Sequence, residues 1–140
     1  NKLRYITIKV SEDECKLFGI DRIDESKPVY VVEGPIDSLF IDNAIAMAGS
    51  DLSSTCHLNK ETEFVIVMDN ESRNVEIVKK IEAFINKGYS VCICNDKIQQ
   101  KDINDMVLSG MSITDVTKEI KQRTFKGLQA KMALNKWKRV

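Results

Sequence analysis

Acidic side chains follow two short apolar segments of the chain. Glu33 comes directly after residues 28–32, and Asp69 and Glu71 come directly after residues 64–68. Carboxylates crowded at one point repel one another and raise each other's pKa unless a cation lies between them. Carboxylate oxygens are ligands that Mg²⁺ prefers, and this ion keeps several positions for water or phosphate oxygens. If the two acidic segments meet, the sequence therefore predicts a site for a divalent ion.

The apolar segments predict the elements that bring these acids together. Four short apolar runs are typical of strands covered on both faces: residues 28–32, 43–48, 64–68 and 90–94. Helical segments lie between them, and strands that alternate with helices form parallel βαβ units. We therefore predict an α/β, Rossmann-like domain with a parallel sheet flanked by helices. In such a sheet the carboxyl ends of the strands share one edge, where sites collect.

The clearest helix is predicted over residues 73–87. Its apolar residues recur at helical spacing, so we expect one buried face made of Val75, Val78, Ile81 and Ile85. Gly88 follows directly and suits the end of a helix. Residues 5–10 alternate in polarity and predict an edge strand or part of a small additional sheet.

A structural role for the same acids stays open at this point. Each acid could instead be an N-cap for the helix that follows, which is a frequent role of Asp. A third acidic stretch, residues 101–105, either joins the sheet edge or caps a helix that begins near Ile103. The chain has neither a GK[ST] phosphate loop nor a GxGxxG turn, so P-loop nucleotidases and dinucleotide enzymes are not supported.

The formal charge is zero, with 21 basic and 21 acidic residues, but it is unevenly distributed. Residues 118–140 hold a single acid, Glu119, and eight bases: Lys118, Lys121, Arg123, Lys126, Lys131, Lys136, Lys138 and Arg139. Such a segment suits contact with nucleic acid or an acidic partner, or forms a solvated helical face. We expect Ser112 and Asp115 to form a capping box that opens a helix. Gly127 is expected to interrupt it before a second amphipathic turn or helix with Leu128, Met132 and Trp137.

The cysteines predict packing rather than metal binding. The four cysteines do not form paired CxxC motifs, so no zinc is expected. Cys92 and Cys94 would face the same side of one strand as small apolar side chains. His57 has no neighbour that suggests chemistry. No apolar run is long enough to cross a bilayer and no signal peptide opens the chain, so we expect a cytoplasmic protein. Because the chain starts at Asn1 without Met, we also expect a piece of a longer protein.

Three ordered motifs carry a resemblance to a known family. VVEGPIDSL at residues 31–39, MDNE at 68–71 and KDIND at 101–105 resemble, in order and spacing, the motifs of the TOPRIM domain. That family includes bacterial-type and phage primases, type IA and type II topoisomerases and some nucleases. Within it, the motifs look most similar to those of DNA primases of tailed bacteriophages. We accordingly divide the chain into a lead-in (1–27), a TOPRIM core (28–111) and a basic helical C-terminal extension (112–140).

The resemblance implies a metal-binding part of a primase that makes RNA primers on single-stranded DNA. It implies that Glu33 does acid–base work or contacts metal, and that Asp69 and Glu71 hold Mg²⁺ or Mn²⁺, in a two-ion site. Glu71 stands where the family usually has aspartate. Accessory roles are implied for Gly34, Asp37, Arg73, Lys101, Asp102, Asn104 and Asp105, with Asp37 holding its loop in place.

The implied partners are a single-stranded DNA template, nucleoside triphosphates, a replicative helicase and the zinc-binding and RNA-polymerase parts of a primase. The chain has neither the zinc ligands nor the length for those two parts, so we expect the isolated chain to be inactive. If a phage encodes it, the host cytoplasm is its location. Two alternatives remain: a TOPRIM nuclease or topoisomerase fragment that uses the same acids, and a non-catalytic module that binds helicase or DNA.

Overall fold

A computed structural model describes residues 6, 8, 11, 16–47, 52 and 58–140 of the chain. After a 3₁₀ turn at Ile20–Arg22, these residues form β1 (Val29–Val32), α1 (Pro35–Ser38), β2 (Ala44–Ala46), β3 (Phe64–Val67), α2 (Val75–Asn86), β4 (Ser90–Cys92), α3 (Ile103–Leu108), α4 (Ile113–Gln122), β5 (Thr124–Phe125) and α5 (Gly127–Trp137). Among the described helices, none is both long and apolar enough to cross a membrane.

The five strands form one sheet in the order β2-β1-β3-β4-β5. The first four strands are parallel, and β5 pairs antiparallel with β4. Phe18 adds an isolated antiparallel bridge to Ala46 at the other edge. The predicted α/β, Rossmann-like architecture is therefore confirmed. The edge strand predicted over residues 5–10 lies mostly outside the described residues, which include only positions 6 and 8 of it.

Helices cover the sheet on both faces, and each face has its own apolar core. On one face, α2 and α5 pack over side chains such as Val31 and Ile66. On the other face, α3 and α4 pack over side chains that include Val67, Cys92 and Cys94. Both cysteines are buried, free and on the same side, as predicted. Because the strands are covered on both faces, their sequences are continuously apolar rather than alternating.

Helix α2 follows its sequence pattern with one correction. Asn74 is the N-cap and accepts hydrogen bonds from the backbone N–H groups of the first turn, and Gly88 has a positive φ of 89° just after the helix. Val78 belongs to the buried face as predicted, but Val75 is 48% exposed and Ile77 is buried instead. Val75 is the first helical residue, and its side chain therefore lies at the end of the helix rather than over the sheet.

The segment from Ser112 onward packs on the sheet. Ser112 caps α4 by accepting a hydrogen bond from the backbone N–H of Asp115 at 3.0 Å, as predicted. The predicted break between two helices is present, but it lies at residues 123–126, which include the unpredicted strand β5, and Gly127 is the first residue of α5. Of the three residues predicted for the apolar face of α5, Trp137 is buried, but Leu128 and Met132 are 72% and 55% exposed, so the prediction was wrong for these two. The buried face consists of Ala130, Leu134 and Trp137, whose spacing fits successive helical turns better.

Candidate functional site

The first two predicted acids meet at the carboxyl edge of the sheet. Strands β1 and β3 are neighbours, with Val32 in register with Val67. Glu33 follows β1 directly, and Asp69 stands two residues beyond β3. The backbone N–H of Asp69 donates a hydrogen bond to Oε2 of Glu33 at 3.1 Å. The sheet topology thus brings together acids that are 36 residues apart in the sequence.

Two lysine side chains lie among these acids. Nζ of Lys101 lies 3.5 Å from Oδ2 of Asp69 and 3.8 Å from Oε1 of Glu71. Nζ of Lys80, on α2, lies 3.7 Å from Oε1 of Glu33. Lys101 was predicted as an accessory residue and is at the site. Lys80 was missed, because in the sequence it is an ordinary lysine on the polar face of a helix.

The closeness of these acids and lysines shifts the pKa values of Asp69 and Lys101. Burial raises the pKa of Asp69 to about 7, and the nearby Glu33 carboxylate adds to the rise while Lys101 opposes it. For Lys101, partial desolvation lowers the pKa, but Asp69 and Glu71 outweigh it and the net pKa is raised. The lysine therefore stays charged, while Asp69 sits near the midpoint of its titration at neutral pH.

The capping alternative does not account for Glu33 and Asp69. Glu71 does contact a cap residue, because its Oε2 accepts a hydrogen bond at 3.2 Å from Nδ2 of Asn74. The N-cap of α2 is Asn74, which accepts from the backbone N–H groups of Glu76 and Ile77. The N-cap of α1 is Gly34, which offers no side chain. Asp102, by contrast, is the N-cap of α3 and accepts a hydrogen bond from the backbone N–H of Asp105 at 2.8 Å. Of the acids in the three motifs, Asp102 is therefore the one with the capping role.

Asp37 is a buried carboxylate that links two elements. Only 8% of it is exposed, and its Oδ1 accepts a hydrogen bond from the backbone N–H of Asn104 at 2.8 Å. Burial raises its pKa, although the hydrogen bond from Asn104 opposes the rise. A Cβ atom at Gly34 would lie 2.7 Å from Oδ2 of Asp37, so glycine allows this close approach. Asp37 thus holds α1 against the start of α3, which agrees with the loop-holding role expected for it.

The remaining predicted residues lie further out. Arg73 and the side chain of Asp105 are exposed, and neither makes a side-chain hydrogen bond or ion pair to another described residue.

Among the basic residues of 118–140, Arg123 donates from Nε to the carbonyl of Ile93 at 3.0 Å and lies over the ring of Phe125. The exposed basic side chains of the segment are Lys118, Lys121, Lys126, Lys131, Lys136 and Arg139, while Lys138 is half-buried.

Asn70, between the two acids of the MDNE motif, was also missed. Its side chain donates to two carbonyl groups of the loop before Lys101 and accepts from Nε1 of Trp137. The tryptophan lies 67 residues away in the sequence, so nothing in the local pattern indicates this pairing. Trp137 is buried and packs in the core of its own domain.

The donor chemistry of the edge suits a divalent ion held by few protein ligands. A cavity of about 20 Å³ lies there, lined by residues that include Glu33, Asp69 and Lys101. That volume is about what one water molecule requires. Within the described residues, no group of three or more His, Cys, Asp or Glu side chains is arranged as a metal cage. Mg²⁺ commonly binds through one or two carboxylates and completes its shell with water or phosphate. Asp69 and Glu71, whose carboxylates lie 3.5 and 3.8 Å from the Lys101 ammonium, are the carboxylates that could hold such an ion.

Comparison with known proteins adds a sequence similarity to the fold and the site described above. The sheet and its helices define an α/β protein of Rossmann-like architecture, and no protein-family model matches the chain. The chain is 34% identical over 139 residues to the DNA primase of Enterobacteria phage T4. The match covers 98% of this chain and 40% of that primase. The chain is thus related to a phage DNA primase along nearly all of its length, and it spans less than half of that relative.

Proposed function

We propose that this chain is the metal-binding TOPRIM part of a DNA primase and contributes to Mg²⁺-dependent synthesis of RNA primers on single-stranded DNA. The observation that carries the proposal is the meeting of Glu33 and Asp69 at the carboxyl edge of the sheet, with neither acid used as a cap. The relationship to the phage T4 primase supports the choice of primer synthesis over the other reactions of the family.

Each residue of the edge has a distinct role in this proposal. Asp69 and Glu71 hold the divalent ion, with Mg²⁺ or Mn²⁺ as the candidates. A bound ion supplies neutralisation of the triphosphate charge and a lower pKa for the attacking 3′-hydroxyl. Glu33 contacts the ion or accepts a proton, and its carboxylate is oriented by Lys80 and by the backbone of Asp69. Lys101 neutralises the two carboxylates before the ion binds and then contacts phosphate oxygens.

The partners follow from the same reaction. Primer synthesis requires a single-stranded DNA template and nucleoside triphosphates, and the exposed lysines of residues 118–140 offer positive charge for the phosphate backbone. We further propose that a replicative helicase and the zinc-binding and RNA-polymerase parts of a primase work together with this chain.

The test is primer synthesis by the whole protein carrying Asp69→Asn or Glu33→Gln. We expect each substitution to lower the rate at least about 100-fold, because each removes a carboxylate from the reacting site. Asp115→Asn is the matched control, since Asp115 is an exposed carboxylate in the first turn of α4, and it should leave the rate unchanged. Circular dichroism should show that all three variants fold. Unchanged synthesis in both site variants would overturn the proposal and favour the non-catalytic alternative.

A further inference from the structure

We propose that Asn70 is a positioning residue for the metal-binding carboxylates, and that the C-terminal helix α5 sets their geometry through Trp137. This inference rests on the proposed function, because it concerns the same acidic edge. It adds a role for α5. The end of this helix, on one face of the sheet, controls how tightly the loop after β3 binds the divalent ion.

Asn70 is fixed through its main chain and both ends of its side chain. Its Nδ2 donates hydrogen bonds to the carbonyl oxygens of Ile98 and Gln100 at 3.0 and 3.1 Å. Its backbone N–H donates to the carbonyl of Lys101, and its Oδ1 accepts from Nε1 of Trp137 at 3.0 Å. A side chain bound at both its donor and acceptor atoms has one orientation. The loop that carries it is held in one place as a result.

This placement bears directly on the acids. Asn70 lies between Asp69 and Glu71 in the chain, so a shift of its backbone moves both carboxylates. The same residue holds the backbone of Lys101, whose ammonium lies against both acids. Asn70 therefore joins the two loops that face each other across the site. Catalytic and metal-binding groups need to be held to within about 0.5 Å, which side chains achieve through such supporting hydrogen bonds.

The end of α5 holds the acidic loop at two points. The first is the Trp137 hydrogen bond to Asn70, and the second is a hydrogen bond from the backbone N–H of Arg139 to the carbonyl of Ser72 at 2.8 Å. Trp137 is only 6% exposed and packs in the same core as Leu134. Packing of α5 against the sheet therefore fixes where the indole N–H points, and the indole in turn fixes Asn70.

The experiment compares Mn²⁺ affinity of the 140-residue chain and its variants, measured from the electron paramagnetic resonance signal of free Mn²⁺. Trp137→Phe keeps an aromatic ring in the core but removes the N–H donor. We expect its dissociation constant for Mn²⁺ to rise about threefold to tenfold, the effect of losing one hydrogen bond. Val116→Ala is the control, because Val116 is buried in the core on the other face of the sheet and does not pack with α5. It should lower thermal stability more than Trp137→Phe does, and leave Mn²⁺ affinity within about twofold of the unchanged chain.

A double-mutant cycle with Asn70→Ala separates a specific link from general loosening. Asn70→Ala alone should weaken Mn²⁺ binding at least about tenfold, and adding Trp137→Phe should then change it little, because the indole has already lost its partner. Independent, multiplying effects of the two substitutions would overturn the inference, as would an unchanged affinity in Trp137→Phe. Failure of the unchanged chain to bind Mn²⁺ would instead contradict the proposed metal site itself, and the inference with it.

Discussion

The Asp69 carboxyl group titrates near neutral pH, and this makes the protonation state of one residue decisive for the site. Its pKa is raised to about 7 by burial and by the Glu33 carboxylate. A carboxyl group with a raised pKa binds its proton more tightly in the folded than in the unfolded chain. As the pH rises from about 4 to about 7, ionisation of Asp69 therefore lowers the free energy of unfolding. Above about pH 7 the group is ionised in both states, and this contribution no longer changes. In the proposed site a divalent ion would bind the ionised form and offset this loss of stability.

The affinity for Mg²⁺ or Mn²⁺ should accordingly depend on pH through this one carboxyl group. Between about pH 5.5 and 6.5 we expect the affinity to rise close to tenfold per pH unit, because each ion bound displaces one proton from Asp69. Above about pH 7.5 the affinity should level off. Calorimetry over pH 5.5–8.5, in buffers of different ionisation enthalpy, gives both the affinity and the number of protons released. An affinity that does not change across this range would contradict the assigned pKa.

Lys101 should lower the pKa of Asp69, since its ammonium is the positive charge that opposes the rise. Lys101→Met keeps the length of the side chain and removes the charge, so the pKa of Asp69 should move upward from about 7. Carboxyl carbon chemical shifts, followed through a pH titration, measure this directly. Lys97→Met, at an exposed lysine of the same loop, should leave the titration unchanged. An unchanged pKa of Asp69 in Lys101→Met would show that the ion pair is not formed in solution.

Among the strands, the sequence predicts those with a strong local pattern and misses the one that depends on pairing with a neighbouring strand. The four apolar runs were confirmed as parallel strands because both of their faces are covered, which leaves a continuous apolar signal. Strand β5 has only Thr124 and Phe125, both half-buried, and two residues show no alternation. Its strand character comes from pairing with β4, which local sequence does not contain.

The candidate site likewise has residues that the sequence predicts and supporting contacts that it does not predict. Topology and the rule for the carboxyl ends of strands were enough to place Glu33 near Asp69, and the KDIND motif placed Lys101. The supporting contacts were not predictable, because Lys80 and Trp137 reach the site from α2 and α5 with no motif around them. Their side chains are selected by how the helices pack on the sheet, and helix packing is set by the whole core.

The turn between β1 and α1 gives a test at this scale. Gly34 has a φ of −98°, which alanine also adopts, so a cost of Gly34→Ala must come from the contact with Asp37. A Cβ 2.7 Å from Oδ2 would displace the carboxylate and weaken its hydrogen bond to Asn104. We expect a loss of about 1–3 kcal/mol in the free energy of unfolding, measured in urea. In an Asp37→Ala background the same substitution should cost almost nothing; an equal cost there would exclude this explanation.

Across the whole molecule, the acidic side chains of the candidate site and the basic side chains of residues 118–140 belong to different elements. The acids with a proposed chemical role gather at the carboxyl ends of β1 and β3. Six of the eight basic residues of 118–140 have exposed side chains, and four of these six lie on α4 and α5. The basic segment is also structural: it supplies β5 to the sheet and the buried face of α5 to the core. Substitutions intended to test nucleic-acid binding should therefore target exposed residues such as Lys131 rather than Arg123, which is bonded to the carbonyl of Ile93.

The most direct test of the central claim is a nuclear magnetic resonance titration of the 140-residue chain with Mn²⁺, in which paramagnetic broadening marks the amides near the ion. We expect the amides of Glu33, Asp69 and Glu71 to broaden first, and Asp69→Asn to abolish the effect while Asp115→Asn does not. Broadening that begins elsewhere in the chain, or is unchanged in Asp69→Asn, would contradict the claim that these carboxylates form a divalent-metal site.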